Sequence, residues 1–217
     1  MIDLHTHSIF SDGELLPAEL ARRAKVAGYR AVAFTDHADA SNMDLVIPRL
    51  AALAREYSIY MDIILLAGVE LTHVPAALIG QEVRRARDLG AVIVVAHGET
   101  IVEPVERGTN LAAIEAGVDV LAHPGLITAE EARLAAERGV LLEITTRAGH
   151  AYANGHVAAM ARAHGAKLVV NNDAHAPRDL VDADLRRRIA LGCGMTADEY
   201  LLADGHAWAL VSRSLSL

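Results

Sequence analysis

One cysteine, Cys193, stands in 217 residues, which excludes internal disulfides and fits a reducing compartment. Basic residues are few: 20 Lys and Arg against 28 Asp and Glu leave a formal charge of −8. That balance argues against a general nucleic-acid surface, because such surfaces set Lys and Arg against phosphates. Long apolar runs are missing although 53% of the residues are apolar. Stretches such as 63–69 and 91–96 fall far short of the ~18 residues that span a bilayer, so no membrane segment is expected. No basic, hydrophobic leader is expected, and low-complexity tracts and linker-like stretches are not found. The expectation is one domain over residues 1–217, located in the cytoplasm.

What is present is an alternation. Strand-like apolar runs cover 2–4, 31–35, 63–69, 92–96, 118–122, 140–144 and 168–171. They are apolar almost throughout instead of every second residue, as parallel strands covered on both faces are. Helical segments at 17–27, 75–89, 110–116, 128–138 and 154–164 lie between them, each followed by Gly28, Gly90, Gly117, Gly139 or Gly165. Thr128 with Glu131 three residues on reads as a capping box. The tail after Pro177 reads as two or three short helices, with 186–188 on a solvated face. Seven units in 217 residues give the length expected of repeated βα units.

Polar residues fall in register with this frame. His5 and His7 follow the first strand, two apart and therefore on one face, with Asp12 a loop away. The other strands run into Asp36 and His37, Glu70, His97, His123, Glu143 with Arg147, and Asp173 with His175. Each strand leaves a His, Asp or Glu near its carboxyl end, where barrels of parallel strands carry their active sites. His5, His7, Asp12, His37, Glu70, His97, His123, Asp173 and His175 make nine candidate metal ligands. A catalytic zinc needs three protein ligands, so nine suffice for three ions if a carboxylate such as Glu70 bridges. Imidazole with carboxylate suits Zn, Mn or Fe.

His5-x-His7, Ser11-Asp12-Gly13, Thr35-Asp36-His37, Gly68-Val69-Glu70, His123-Pro124-Gly125 and Asp173-Ala174-His175 resemble, in order, the motif series of the polymerase and histidinol phosphatase (PHP) family. The resemblance implies a distorted (β/α)7, TIM-like α/β barrel of PHP type and a trinuclear site that hydrolyses phosphate esters. It places His5, His7, Glu70 and Asp173 on one ion, Glu70, His97 and His123 on a second, and Asp12, His37 and His175 on the third. Some relatives carry His or Glu where this chain has Asp12, and many histidinol-phosphate phosphatases of the family are longer.

The expected reaction is metal-dependent hydrolysis of a small phosphate monoester, as in histidinol-phosphate phosphatases, by a hydroxide bridging two ions. Arg147 is the candidate clamp for phosphate oxygens, and His150 a candidate substrate contact or proton donor. Asp36 and Glu143 are candidates to orient neighbouring imidazoles. The acidic loop 99–103 could receive a cationic substrate group, and His73, His156, His164 and His206 are read as ordinary residues. Rival readings are a phosphodiesterase or exonuclease of the same family, an amidohydrolase, and a barrel kept as a binding module. An amidohydrolase would have eight units and often a bridging Lys where this chain has His97; a binding module would have lost ligands.

Overall fold

Short apolar runs alternating with amphipathic segments roll up here into a parallel sheet. The computed structural model describes residues 1–215. Its strands are β1 (Ile2–Thr6), β2 (Ala31–Phe34), a two-residue β3 (His37–Ala38), β4 (Ile64–Leu71), β5 (Ile93–His97), β6 (Val120–Ala122), β7 (Leu141–Thr145) and β8 (Leu168–Asn171). The order around the sheet is β1-β2-β4-β5-β6-β7-β8, with β3 continuing along β4. All of these pairings are parallel. This is the expected seven-stranded, TIM-like barrel, nearly closed.

Eight helices among the described residues complete it: α1 (Pro17–Val26), α2 (Met43–Met61), α3 (Ile79–Asp88), α4 (Thr109–Ala116), α5 (Ala129–Arg138), α6 (Asn154–His164), α7 (Ala183–Gly192) and α8 (Ala197–Ser214). The capping box at Thr128 and Glu131 opens α5, a motif whose Ser/Thr cap is worth about 1 kcal/mol. No helix was read over α2. Pro48 interrupts its pattern and removes an intrahelical donor, yet Val46, Ile47, Leu50, Ala51 and Ala54 are buried. Burial of that stripe against β4 outweighs the break. Nor is the tail only short helices, since α8 runs for 18 residues. It lies across the amino-terminal end of the barrel, where His206 bonds the Leu168 carbonyl and Ser214 the Val92 carbonyl.

Inside the ring pack Ile2, Leu4, Ala31, Ala33, Leu66, Ile93, Val95, Val120, Ala122, Leu141 and Val169, capped by Ala207, Leu210 and Val211 of α8. One register change disturbs the alternation. Asp3 pairs with Val32 but Thr6 with Phe34, so β1 holds one extra residue, a bulge of the kind that re-aims side chains next to active sites. Ile2 and Leu4 point into the core, and after the bulge His5 and His7 do as well.

The seam between β8 and β1 is built differently from the other six pairings. Thr6 bridges to Ala174, and below that point side chains join the strands. Leu4 N–H donates to Asn171 Oδ1 at 3.0 Å. Asn172 donates to both oxygens of Asp3. Arg186, fully buried, donates to the carbonyls of Ile2 at 3.2 Å and Val170 at 2.5 Å. The expectation of a solvated face at 186–188 therefore fails at Arg186: a guanidinium supplies the donors that two unpaired strand edges need.

Candidate metal centre

At the carboxyl ends of the strands, all nine predicted ligands converge. His5 Nε2 lies 3.3 Å from Glu70 Oε1, and His7 Nε2 lies 3.2 Å from Asp173 Oδ1. His123 Nε2 faces Glu70 and Asp173 at 3.8 and 3.6 Å. Asp12 Oδ1 stands 3.4 Å from His37 Nε2 and 3.1 Å from His175 Nε2. Four groups of side chains each bring their ligand atoms within 4.8 Å of one another: His7, Asp12, His37 and His175; His5, His7 and Glu70; His5, His123 and Asp173; and His97, His123 and His150.

Local backbone explains the convergence. A Cβ on Gly13 would sit 2.3 Å from the His7 carbonyl oxygen, so only glycine lets the 8–13 loop fold back and carry Asp12 over the strand end. His123 and Asp173 have φ of 28° and 53°, a left-handed conformation that costs non-glycine residues roughly 1–3 kcal/mol and clusters at functional sites. At His123 it breaks the alternation set by Val120 and Ala122 and turns the imidazole inward.

Several buried polar atoms have no hydrogen-bond partner: His5 Nε2, both ring nitrogens of His7, Glu70 Oε1 and His123 Nδ1. Their close approaches to one another lack hydrogen-bond geometry. Orphaned donors and acceptors in a core are costly, and divalent cations are the partners that imidazole and carboxylate lone pairs share. The donor set fits metal binding.

Electrostatics agree at His7, His123 and Glu70. Burial, helped by neighbouring imidazoles, holds His7 and His123 well below the usual histidine range, so both are neutral, as ligands must be. At His5 burial is outweighed by Glu143, Glu70 and Asp173, which raise it. Glu70 is kept ionised against burial by His5 and His37. Burial and the adjacent carboxylates push Asp173 up.

The supporting residues divide. Glu143 Oε2 accepts from His5 Nδ1 at 2.8 Å and from Asn171 at 2.9 Å, so it orients His5. Asp36 accepts instead from the amides and hydroxyls of Ser8 and Ser11; it fixes the loop carrying Asp12 and bonds no imidazole. Arg147 lines the cavity, its Nη1 3.1 Å from the Asp173 carbonyl and 2.8 Å from His175 Nδ1. His150 is buried, with Thr100 Oγ1 at 2.9 Å from Nδ1; burial holds it below its usual range. Two participants went unread. Thr72 sits 2.6 Å from His37 Nδ1 and donates to Glu70; its place two beyond Glu70, just past the end of β4, was the available signal. Glu103, read only as part of an acidic loop, reaches the cavity wall, as does His73. His156 and His206 bond backbone carbonyls.

Among known proteins the chain is 51% identical over 199 residues to an uncharacterized protein of Methanocaldococcus jannaschii, covering 91% of each. The PHP domain model matches residues 3–100, a span carrying His5, His7, Asp12, His37, Glu70 and His97. The chain belongs to the PHP family. The chain is also similar to the DNA polymerase/3'-5' exonuclease PolX of Bacillus subtilis, 26% identical over 193 residues. That match takes in 80% of this chain and 34% of PolX. A histidinol phosphate phosphatase of Lactococcus lactis, solved with zinc, L-histidinol and phosphate, shares the fold. It is 19% identical with a TM-score of 0.62, over 90% of this PHP chain and 94% of that one. No helix among the described residues is long and apolar enough to cross a membrane.

Proposed function

We propose that this PHP protein is a metal-dependent phosphoesterase that releases inorganic phosphate from small phosphate monoesters. The observation that carries this is the set of buried, partnerless nitrogens and oxygens of His5, His7, Glu70 and His123, with Glu70 and His123 on the wall of one cavity and His5 and His7 packed against Glu70. In the reading adopted, His5, His7, Glu70 and Asp173 hold one ion, Glu70, His97 and His123 a second, and Asp12, His37 and His175 a third. Zn, Mn and Fe suit these donors. Bound ions supply Lewis acidity and acidify a water to a nucleophile near neutral pH. The cavity, about 210 Å³, is below the usual ~300–1,000 Å³ of ligand pockets. It suits a phosphate with a small leaving group.

Arg147 supplies the remaining charge. For His175 to ligate through Nε2, its Nδ1 must carry the proton and donate to the Asp173 carbonyl, 3.0 Å away. Arg147 Nη1, 2.8 Å from that Nδ1, then turns into the cavity, where a phosphate oxygen can receive it. A charge-assisted hydrogen bond is worth about 1.5–3 kcal/mol. Arg147→Ala is therefore expected to lose roughly 10- to 150-fold in kcat/KM, and Arg147→Lys to recover part of it. Kinship with PolX favours a second reading, cleavage of phosphodiesters. A phosphate-release assay on metal-reconstituted protein tests both, with histidinol phosphate, nucleoside monophosphates and a dinucleotide compared. Release from monoesters is expected; metal-loaded protein releasing none from any of them would refute the proposal.

A further inference from the structure

One wall of the cavity holds more ligating groups than the three-ion scheme uses. Glu70 turns mostly the other way, Oε1 toward His5 at 3.3 Å and Oε2 toward His37 at 2.7 Å. His97 and His123 are joined by a third imidazole, that of His150, with ligand atoms of all three within 4.8 Å. His150 is 8% exposed, and its ring stacks on that of His123 at 4.2 Å. Thr100 engages Nδ1, leaving Nε2 aimed into the cavity; a hydrogen bond at the far nitrogen is the usual mark of a ligating imidazole. His123 Nδ1 is buried without a partner.

Glu103 stands among these rings. Its Oε2 lies 3.1 Å from His97 Nε2 and its Oε1 3.4 Å from His150 Nε2. The three imidazoles are buried, whereas Glu103 rides on a loop whose Ile101 and Val102 are exposed. Three imidazoles and a carboxylate make a complete four-coordinate shell for a zinc-like ion, and a catalytic ion needs one place open. Of the four, Glu103 is the group free to withdraw.

We propose that His97, His123 and His150 together hold one ion and that Glu103 is its exchangeable fourth ligand, displaced when phosphate enters. This rests on the metal centre of the proposed function, whose second ion it moves from Glu70 onto His150 and Glu103, and not on the identity of the ester. Both assigned roles differ from the sequence reading, which made His150 a substrate contact and loop 99–103 a receiver of cations.

The test is metal content and phosphate binding, independent of turnover. After reconstitution and desalting, His150→Ala should carry about one ion per chain fewer than wild type, or bind that ion roughly 10- to 100-fold more weakly. Thermal melting of the metal-free proteins checks that the variant folds. Glu103→Ala, on an exposed loop, carries the test in any case: calorimetric titration with inorganic phosphate should show affinity raised about tenfold. Glu103→Asp keeps the charge but shortens the arm, and should raise it too. Unchanged metal content and affinity in His150→Ala would overturn the proposal, as would phosphate binding unaltered by Glu103→Ala. Tighter binding in Glu103→Ala but not Glu103→Asp would mean a field effect and overturn the exchange. A wild-type protein that binds no ion overturns both readings; one that binds ions and phosphate as described but hydrolyses no ester leaves this one standing.

Discussion

Charge is buried in two parts of this molecule, and the parts treat it in opposite ways. Around Arg186 and Asp119 donors meet acceptors, with only Arg186 Nε left without one. Arg186 bonds Asp204 at 2.6 Å, the Tyr200 hydroxyl and two strand carbonyls. Asp119 accepts from Arg87, Arg213 and the Val94 amide. At the other end ligating groups crowd together: Glu70, Asp173 and a ring of imidazoles face one another with atoms left unpaired. A protein can keep the first kind of cluster for its fold alone. The second kind is unfavourable unless a cation joins it, and so burial by itself says little until the signs and partners are counted.

The comparison breaks most readily at its centres. Arg186→Met should lower the unfolding free energy by about 3 kcal/mol, the low end for a broken buried pair because Asp204 reaches solvent. Glu70→Gln in metal-free protein should change it by about 1 kcal/mol, the centre of the range for single substitutions, because the amide keeps the shape of a carboxyl whose Oε1 is already unpartnered, while metal binding collapses. Urea unfolding of both proteins, with and without metal, measures this. Equal losses in the metal-free state would erase the distinction. A smaller effect is expected where the two kinds of cluster meet. Glu143 is itself fully hydrogen-bonded on one oxygen but orients His5, and Glu143→Ala should weaken metal affinity by roughly 10- to 100-fold. Competition with a chromophoric chelator reads it directly.

The smallest effect lies on the surface. Arg162 and the Thr196 amide hold the Glu199 carboxyl down to about 2. A carboxylate depressed in the folded state stabilises above its unfolded pKa, about 4.5, and that contribution is lost as pH falls from there toward about 2. Since Arg162 is half exposed, the contribution stays under about 1 kcal/mol. Glu199→Gln should lower stability slightly at pH 7 and flatten its fall over that window in acid titrations, the difference from wild type closing near pH 2.

The strand frame was legible because parallel strands buried on both faces are apolar nearly throughout. Leu168–Asn171 coincides with its expected range, and the remaining strands differ by a few residues at their ends. The nine candidate ligands were legible for a related reason: each sits at a strand's carboxyl end, a place that sequence order marks. What escaped depends on long-range geometry. Nothing local announces that Asp36 bonds Ser8 and Ser11, or that Arg186 bridges Ile2 and Val170. Glu103 was seen as charge on a loop, but only the packed loop shows which imidazoles it meets. Helix α2 escaped through Pro48, since local breaking rules carry no information about burial.

The seam has a consequence for how the chain is made. On the edge away from β2, the first strand's partners are residues 171–174, almost the whole chain away. During synthesis at ~5–20 residues per second, β1 waits roughly ten to thirty seconds before Asn171, Asn172 and Arg186 exist to receive it. Through that interval its open edge invites other strands. His5 and His7 are likewise separated in time from Asp173 and His175, so the ribosome releases the two halves of the centre at opposite ends of translation. The barrel closes late, and the centre is complete only when its ring is.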